Sequence, residues 1–165
     1  MDNVCDDKIY SEVFRTHSKT VFNFIYYKFG NEEKANDAVQ EAFVKLWENC
    51  AKVAPEKAKS FVYTVANNLY LNVIKAEKVR LKYKDPSASI ERENPEFLLE
   101  EQQFKHKLEK ALADLPENQR TTFLLNRIDG KKYKEIAEME GVSVKAIEKR
   151  MHLGLKTLRE QIDGI

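Results

Sequence analysis

Long apolar runs are missing from this 165-residue chain, and so are most of the residues that break or staple a fold. No apolar stretch approaches the ~18–20 residues that a membrane span needs. The opening decapeptide, MDNVCDDKIY, is acidic and lacks the apolar core of a secretory signal. Two cysteines, Cys5 and Cys50, lie far apart with no Cys or His at ligand spacing. Neither a disulfide framework nor a zinc site is expected, and a reducing cytoplasm fits best. Five glycines and four prolines are too few for collagen or a low-complexity linker protein. Net charge is nearly absent, since 28 basic and 27 acidic side chains leave +1. A free-standing DNA-binding domain is usually more basic. No glycine-lysine phosphate loop is present. Cys5, Cys50, His17, His106 and His152 form no nucleophile or metal arrangement, and the carboxylates are scattered over helix faces. Enzymatic activity, a cofactor, a bound metal and a small-molecule substrate are therefore not expected.

What the chain does contain is amphipathic helix. Hydrophobic residues make up 42% and charged residues 33%, a mix suited to a soluble all-α protein. The charge is segregated. KAEKVRLKYK (75–84) is basic, DPSASIERENPEFLLEE (85–101) is mostly acidic, and the last helix is basic again.

Apolar periodicity predicts helices over about 8–29, 32–50 and 58–83. Gly30 is placed to end the first and Asn31 to cap the second. In the second, DAVQEAFVKLW, one side is apolar: Ala38, Val39, Ala42, Phe43, Leu46 and Trp47. Asp37, Gln40, Glu41, Lys45 and Glu48 share the other side, which is either merely wet or a dock. Val62, Val65, Ala66, Leu69 and Val73 form the third helix's buried stripe. Asp85-Pro86, the serines and Asn94-Pro95 mark a linker over 85–96. Helix returns near Pro95 and runs to Asp114, and Pro116 is placed to be the first residue of the next helix, which stops at Asp129-Gly130. Two small helical domains, 8–84 and 97–163, joined by a flexible linker, are the expected architecture.

The stretch YKEIAEMEGVSVKAIEKRM, about 133–152, has the layout of a DNA-binding helix-turn-helix. Ala137 is small where two helices approach, Gly141 sits where positive φ is needed, Ser143 caps the second helix, and Ile147 and Met151 anchor it. The second helix would enter the major groove and present Lys145, Glu148, Lys149 and His152 to base edges, while Lys145 and Lys156 meet phosphates. A solvated charged face is the plainer reading of the same residues. Lys132 precedes Tyr133 where a Ser or Thr cap is common, a loss of roughly 1 kcal/mol.

Three stretches, DAVQEAFVKLW, SFVYTVANNLYLNVIK and LPENQRTTFLLNRIDGKKYKEIAEMEGVSVKAIEKRM, occur in the order and at the distances found in bacterial sigma factors. From about residue 8 to 160 the chain resembles the extracytoplasmic-function group of RNA polymerase sigma factors, within the sigma-70 family. The last helix, AIEKRMHLGLKTLR, resembles the branch common in Bacteroidetes.

The resemblance implies a domain 2 for core polymerase docking and minus-ten recognition and melting, and a domain 4 for minus-thirty-five recognition. It implies that Asp37, Gln40 and Glu41 dock on the clamp coiled coil of the largest polymerase subunit, with Phe43 and Trp47 stiffening the helix from behind, and that domain 4 meets the flap region. Asn67 and Asn68 would lie near the pocket for a flipped minus-ten base, with Lys75, Lys78, Arg80 and Lys82 as a phosphate track. An amide donates and accepts at a base edge at once. The loop 50–58 would help to form that pocket. Tyr63 and Tyr70 are stacking candidates, or equally packing residues. Glu91, Glu93 and Glu96 of the linker would mimic nucleic-acid charge, or be part of a plain tether. For the minus-thirty-five element the implied set is Lys145, Glu148, Lys149, His152 and Lys156; Leu153 stands where some relatives have arginine. The partners implied are core polymerase, promoter DNA and an anti-sigma factor, often membrane-bound. Near-neutral charge predicts weak promoter affinity for the free chain and strong affinity once both domains are fixed on polymerase. Two other classes stay open from the residues alone: a conventional dimeric helix-turn-helix regulator, and a helical adaptor that binds only proteins.

Overall fold

The computed structural model describes residues 3–82 and 103–162, with the side chains of 79–82 and 103–105 left aside. The expected linker, with Glu91, Glu93 and Glu96, lies outside the described residues, as does the helix start expected near Pro95. Among the described residues the regular elements are helical: α1 (Asp7–Phe29), α2 (Glu32–Glu48), α3 (Ala58–Lys82), α4 (Gln103–Asp114), α5 (Glu117–Arg127), α6 (Tyr133–Glu140) and α7 (Val144–Gln161). A short 3₁₀ turn, Pro55–Lys57, leads into α3. None of these helices is long and apolar enough to cross a membrane.

The helix ends follow local chemistry. Asp6 accepts from the Lys8 and Ile9 amides and starts α1. Gly30, at φ 65°, ends α1, and its N–H donates to the Tyr26 carbonyl. Asn31 then accepts from the Lys34 amide and starts α2. Pro116 is the cap residue of α5 and not its first helical residue, one position off the expectation. Lys132 has no acceptor to cap α6, but the Glu135 carboxylate accepts from its N–H at 3.1 Å, so one orphan donor is satisfied from inside the helix.

Helices α1, α2 and α3 pack pairwise around Val21, Phe24, Ile25, Ala35, Ala42, Phe43, Leu46, Val62 and Ala66. Helices α4 to α7 enclose Leu112, Leu124, Leu125, Ile136, Ile147, Met151 and Leu158. The two modules also touch: α1 lies along α5 and α3 against α6.

One expectation is corrected. Cys5 and Cys50 are joined by a disulfide, with Cα atoms 5.0 Å apart. Folding brings the N-terminal turn, anchored by fully buried Val4, onto the end of α2. Local ligand spacing could not have shown a pairing across 45 residues.

Candidate functional surfaces

Helix α2 is sharply two-sided. At about 3.6 residues per turn, Asp37, Gln40, Glu41, Val44, Trp47 and Glu48 share one arc, and all six are exposed. The opposite arc, with Ala35, Ala38, Val39, Ala42, Phe43 and Leu46, is buried. Phe43 does stiffen the helix from behind, edge-on to Phe14 at 4.9 Å between ring centres. Trp47 does not. It is 45% exposed on the Gln40 side, propped edge-on against Tyr10 at 5.2 Å. The Tyr10 hydroxyl donates to the Phe43 carbonyl at 2.7 Å, which ties α1 to this helix.

On α3, Asn68, Lys75 and Lys78 are exposed and Asn67 is half-buried. Thr64, Asn68, Leu71, Lys75 and Lys78 follow one another at spacings of 4, 3, 4 and 3 and form one exposed stripe. Arg80 and Lys82 lie on the same helix, but their side chains are outside the described residues. Tyr63 and Tyr70 are core residues. Tyr63 donates to the Thr20 hydroxyl at 2.9 Å and meets Phe24 edge-on at 5.2 Å. Tyr70 meets Phe29 edge-on at 4.9 Å, and burial pushes its phenol up to about 12.

The turn between α6 and α7 has the anticipated geometry. Gly141 has φ 67°, its N–H donates to carbonyls of the last turn of α6, and the Ser143 hydroxyl accepts from the Ala146 amide at 3.1 Å. Ile136, Ala137, Ile147 and Met151 are buried behind it. Lys145, Glu148, Lys149, His152 and Lys156 are all exposed, so α7 presents one continuous polar face. Leu153 is exposed as well. Arg150 is turned aside and half-buried.

A fourth region was not anticipated: the seam between the modules. Arg120 of α5, 7% exposed, donates from Nε to the Tyr27 carbonyl and from Nη2 to the Lys28 carbonyl, both at 2.9 Å. These carbonyls belong to the last turn of α1, where no intrahelical partner exists and the helix dipole is negative. A guanidinium from one module thus completes a helix end of the other. Lys28, 4% exposed, reaches back to Glu117 at 2.7 Å and to both Glu140 oxygens at 3.0 Å. Its ammonium also lies 4.7 Å from the Phe24 ring centre. Burial raises the Glu140 carboxyl above its ordinary value, Lys28 pulls it back down, and Glu117 pushes it up again. Tyr27 donates to Asp129, which also accepts from Asn23 at 3.4 Å. Burial and the Asp129 carboxylate keep that phenol protonated far beyond its usual range. A sequence signal did exist: Arg120 and Lys28 each sit at helical spacing on an apolar stripe, with Leu124 and with Phe24 and Val21.

Comparison with known proteins decides the family. Residues 13–80 match the family model for sigma-70 region 2, and residues 105–158 match that for sigma-70 region 4. The chain belongs to the sigma-70 family. It is 26% identical over 93% of its length to the ECF RNA polymerase sigma factor SigE of Mycolicibacterium smegmatis, spanning 61% of that protein. It is 23% identical over 95% of its length to the ECF RNA polymerase sigma factor SigW of Bacillus subtilis, spanning 90% of it. The fold is that of the sigma factor RpoE of Bartonella quintana, solved in complex with the anti-sigma factor NepR. The TM-score is 0.70 at 18% identity, over 94% of this chain and 98% of that one. The match extends over both modules. This is a sigma factor of the extracytoplasmic-function group, acting in transcription initiation and not as an enzyme.

Proposed function

We propose that this sigma factor docks on core RNA polymerase through the exposed arc of α2 and directs initiation at specific promoters. The observation that supports this most is the arc itself. Asp37, Gln40 and Glu41 stand exposed on a helix whose other side is locked into the core. An acidic and amide-bearing face on a rigid helix suits arginines on a partner helix pair, here the clamp coiled coil of the largest subunit. Asn67, Asn68, Lys75, Lys78, Arg80 and Lys82 then hold the melted minus-ten strand. Lys145, Glu148, Lys149, His152 and Lys156 read the minus-thirty-five element while the domain rests on the flap region. In this reading residues 8–84 are domain 2, 85–96 the linker and 97–163 domain 4. The protein works in the cytoplasm, where polymerase is.

Asn68, Lys75 and Lys78 of α3 and all five α7 residues are exposed in the present arrangement, so the seam hides none of them. What it does is fix their separation. A promoter presents its two elements at a set distance, and two readers gain from each other only when that distance is met. In this reading polymerase binding opens the seam and resets that distance. Two of the solved structures this chain resembles hold a second protein: the sigma factor RpoE is bound to the anti-sigma factor NepR, and CnrH to the cytosolic domain of CnrY. An anti-sigma partner that holds the seam shut is the matching regulator here.

The test is capture of purified core polymerase by the wild type and by a Gln40→Ala, Glu41→Ala variant, followed by run-off transcription on a library of upstream regions. The double variant should bind about tenfold to a hundredfold more weakly. Undiminished capture removes these residues from the interface.

A further inference from the structure

We infer that Leu71 is the side chain that covers the face of an unstacked base when the promoter opens. This rests on the proposed role of α3 at the minus-ten element and adds a residue to it.

An unpaired base has polar edges and an apolar face that has lost its stacking neighbour. A protein that traps it must supply partners for both. Amides for the edge are present in Asn68 and Asn72, which are exposed, and in half-buried Asn67. The face is the difficulty. Of the three aromatic residues of this segment, Tyr63 and Tyr70 are 3% and 6% exposed and engaged with Phe24 and Phe29, and half-buried Phe61 packs against the core ten residues before Leu71. Neither tyrosine can swing out without opening the core.

Leu71 is 51% exposed and sits in the middle of the stripe, one turn from Asn68 on one side and from Lys75 on the other. Among the described side chains of α3 the other large exposed apolar residue is Val73, which the apolar period placed in the buried stripe but which is 37% exposed; it lies on roughly the opposite side of the helix from Leu71. From Thr64 to Lys78 the helix has a single carboxylate, Glu77, and that one is turned toward Lys34 of α2 at 3.2 Å. The α3 surface around Leu71 is thus amide and ammonium with one apolar knob, and its one carboxylate is paired with Lys34, which favours the approach of phosphates. Leucine is among the side chains used as apolar wedges against unstacked base steps. The occupant is an unpaired promoter base, held by its face on Leu71, its edge on the asparagines and its flanking phosphates on Lys75 and Lys78.

The experiment uses the holoenzyme, reconstituted from core polymerase and the full chain, on a promoter recovered from the upstream library. Each variant is run on the duplex and on the same promoter with a pre-opened mismatch bubble at the minus-ten element. L71A should lose about tenfold of its run-off transcript on the duplex and recover most of it on the bubble. L71M should behave like the wild type on both templates. Core polymerase capture and thermal melting of L71A should be unchanged, as truncation of a half-exposed side chain leaves no cavity. Full activity of L71A on the duplex overturns the inference. So does an equal loss on both templates, or weaker capture of polymerase, which would place the leucine against a protein. Failure of the wild type to give any transcript would instead sink the proposed function.

Discussion

The interior of each module and the seam between the modules are both buried, yet they differ in what joins the hydrocarbon. Phe24, Ile25, Leu46, Ile136, Ile147 and Leu158 bring only hydrocarbon to their cores. The buried apolar cluster runs on through both modules, and at the seam it is joined by Lys28, Glu117, Arg120, Asp129, Glu140 and two helix-end carbonyls. Apolar surface separated from its partner has nowhere favourable to go, so a module core comes apart only by unfolding. Charges separated from one another are received by water, so the charged part of the seam adds little net stability and resists opening less than an all-apolar contact would. The difference marks which contacts are permanent and which are built to be undone.

The comparison breaks most directly by truncation on either side of it. Ile147→Ala in the α7 core, or Leu46→Ala in α2, should lower unfolding free energy by about 2–5 kcal/mol, read from denaturant curves followed by circular dichroism. Arg120→Ala strips the Tyr27, Lys28 and Leu115 carbonyls of a donor and takes a buried charge away from Glu117. Breaking a buried pair of this kind costs about 3–5 kcal/mol where the remaining charge is trapped. If the modules part, it meets water and is not trapped. Arg120→Ala should therefore leave helicity and module stability near those of the wild type while the radius of gyration in small-angle scattering rises. Should Arg120→Ala unfold the chain as Ile147→Ala does, the seam is part of a single core and the distinction fails.

Much of this was legible in the sequence, and what was not has a physical reason. Helix positions followed from apolar period, and the Gly141 turn and Ser143 cap from local backbone chemistry. The exposed faces of α2 and α7 followed from the same wheels. Tyr63 and Tyr70 were ambiguous because their heptad spacing suits a core stripe as well as a stacking platform, and the fold put them in the core. Trp47 reads as core on a wheel, but it sits at the margin of the apolar arc, where only the neighbouring helix decides. The seam was hidden for another reason. A lysine or arginine on an apolar stripe signals that a partner exists, but not that the partner lies some 90 residues away, as Arg120 does from Tyr27 and Lys28.

Acidity sharpens the comparison with a smaller effect. Glu140 faces Lys28 from α1, Glu117 from α5 and Arg150 from α7, and burial outweighs the cations in setting its carboxyl above 4.5. A carboxyl that holds its proton more tightly when the seam is closed favours closure fully below its ordinary value. That contribution fades as pH rises through the raised value. The closed fraction should thus grow as pH falls from neutral toward 4.5, measured by scattering or by energy transfer between labels on the two modules. Lys28 keeps Glu117 at 2.7 Å when Glu140 is protonated, so the seam retains an ion pair. Glu140→Gln should flatten the profile. A variant profile that tracks the wild type would assign the response to another group.

The smallest effect tests the permanent side alone. Gly154 is buried in α7 where that helix crosses α5, yet a methyl group there would meet Gln119 Cβ at 3.5 Å and its carbonyl oxygen at 3.7 Å, which is ordinary contact. Its backbone is helical, so the residue uses none of glycine's extra freedom. Glycine inside a helix is less stable than alanine by roughly 0.5–1 kcal/mol, because more backbone entropy is lost on folding. Gly154→Ala should therefore raise the unfolding free energy by a few tenths of a kcal/mol up to that amount. Gly154→Leu, too large for the gap, should lower it by about 1–3 kcal/mol. A Cβ at position 154 would touch Gln119 and none of the seam charges, so the radius of gyration of the Gly154→Ala variant should not move. An alanine that stabilised the fold and also closed or opened the modules would mean that the α5–α7 crossing and the seam are one mechanical unit, and that the two kinds of interface are coupled after all.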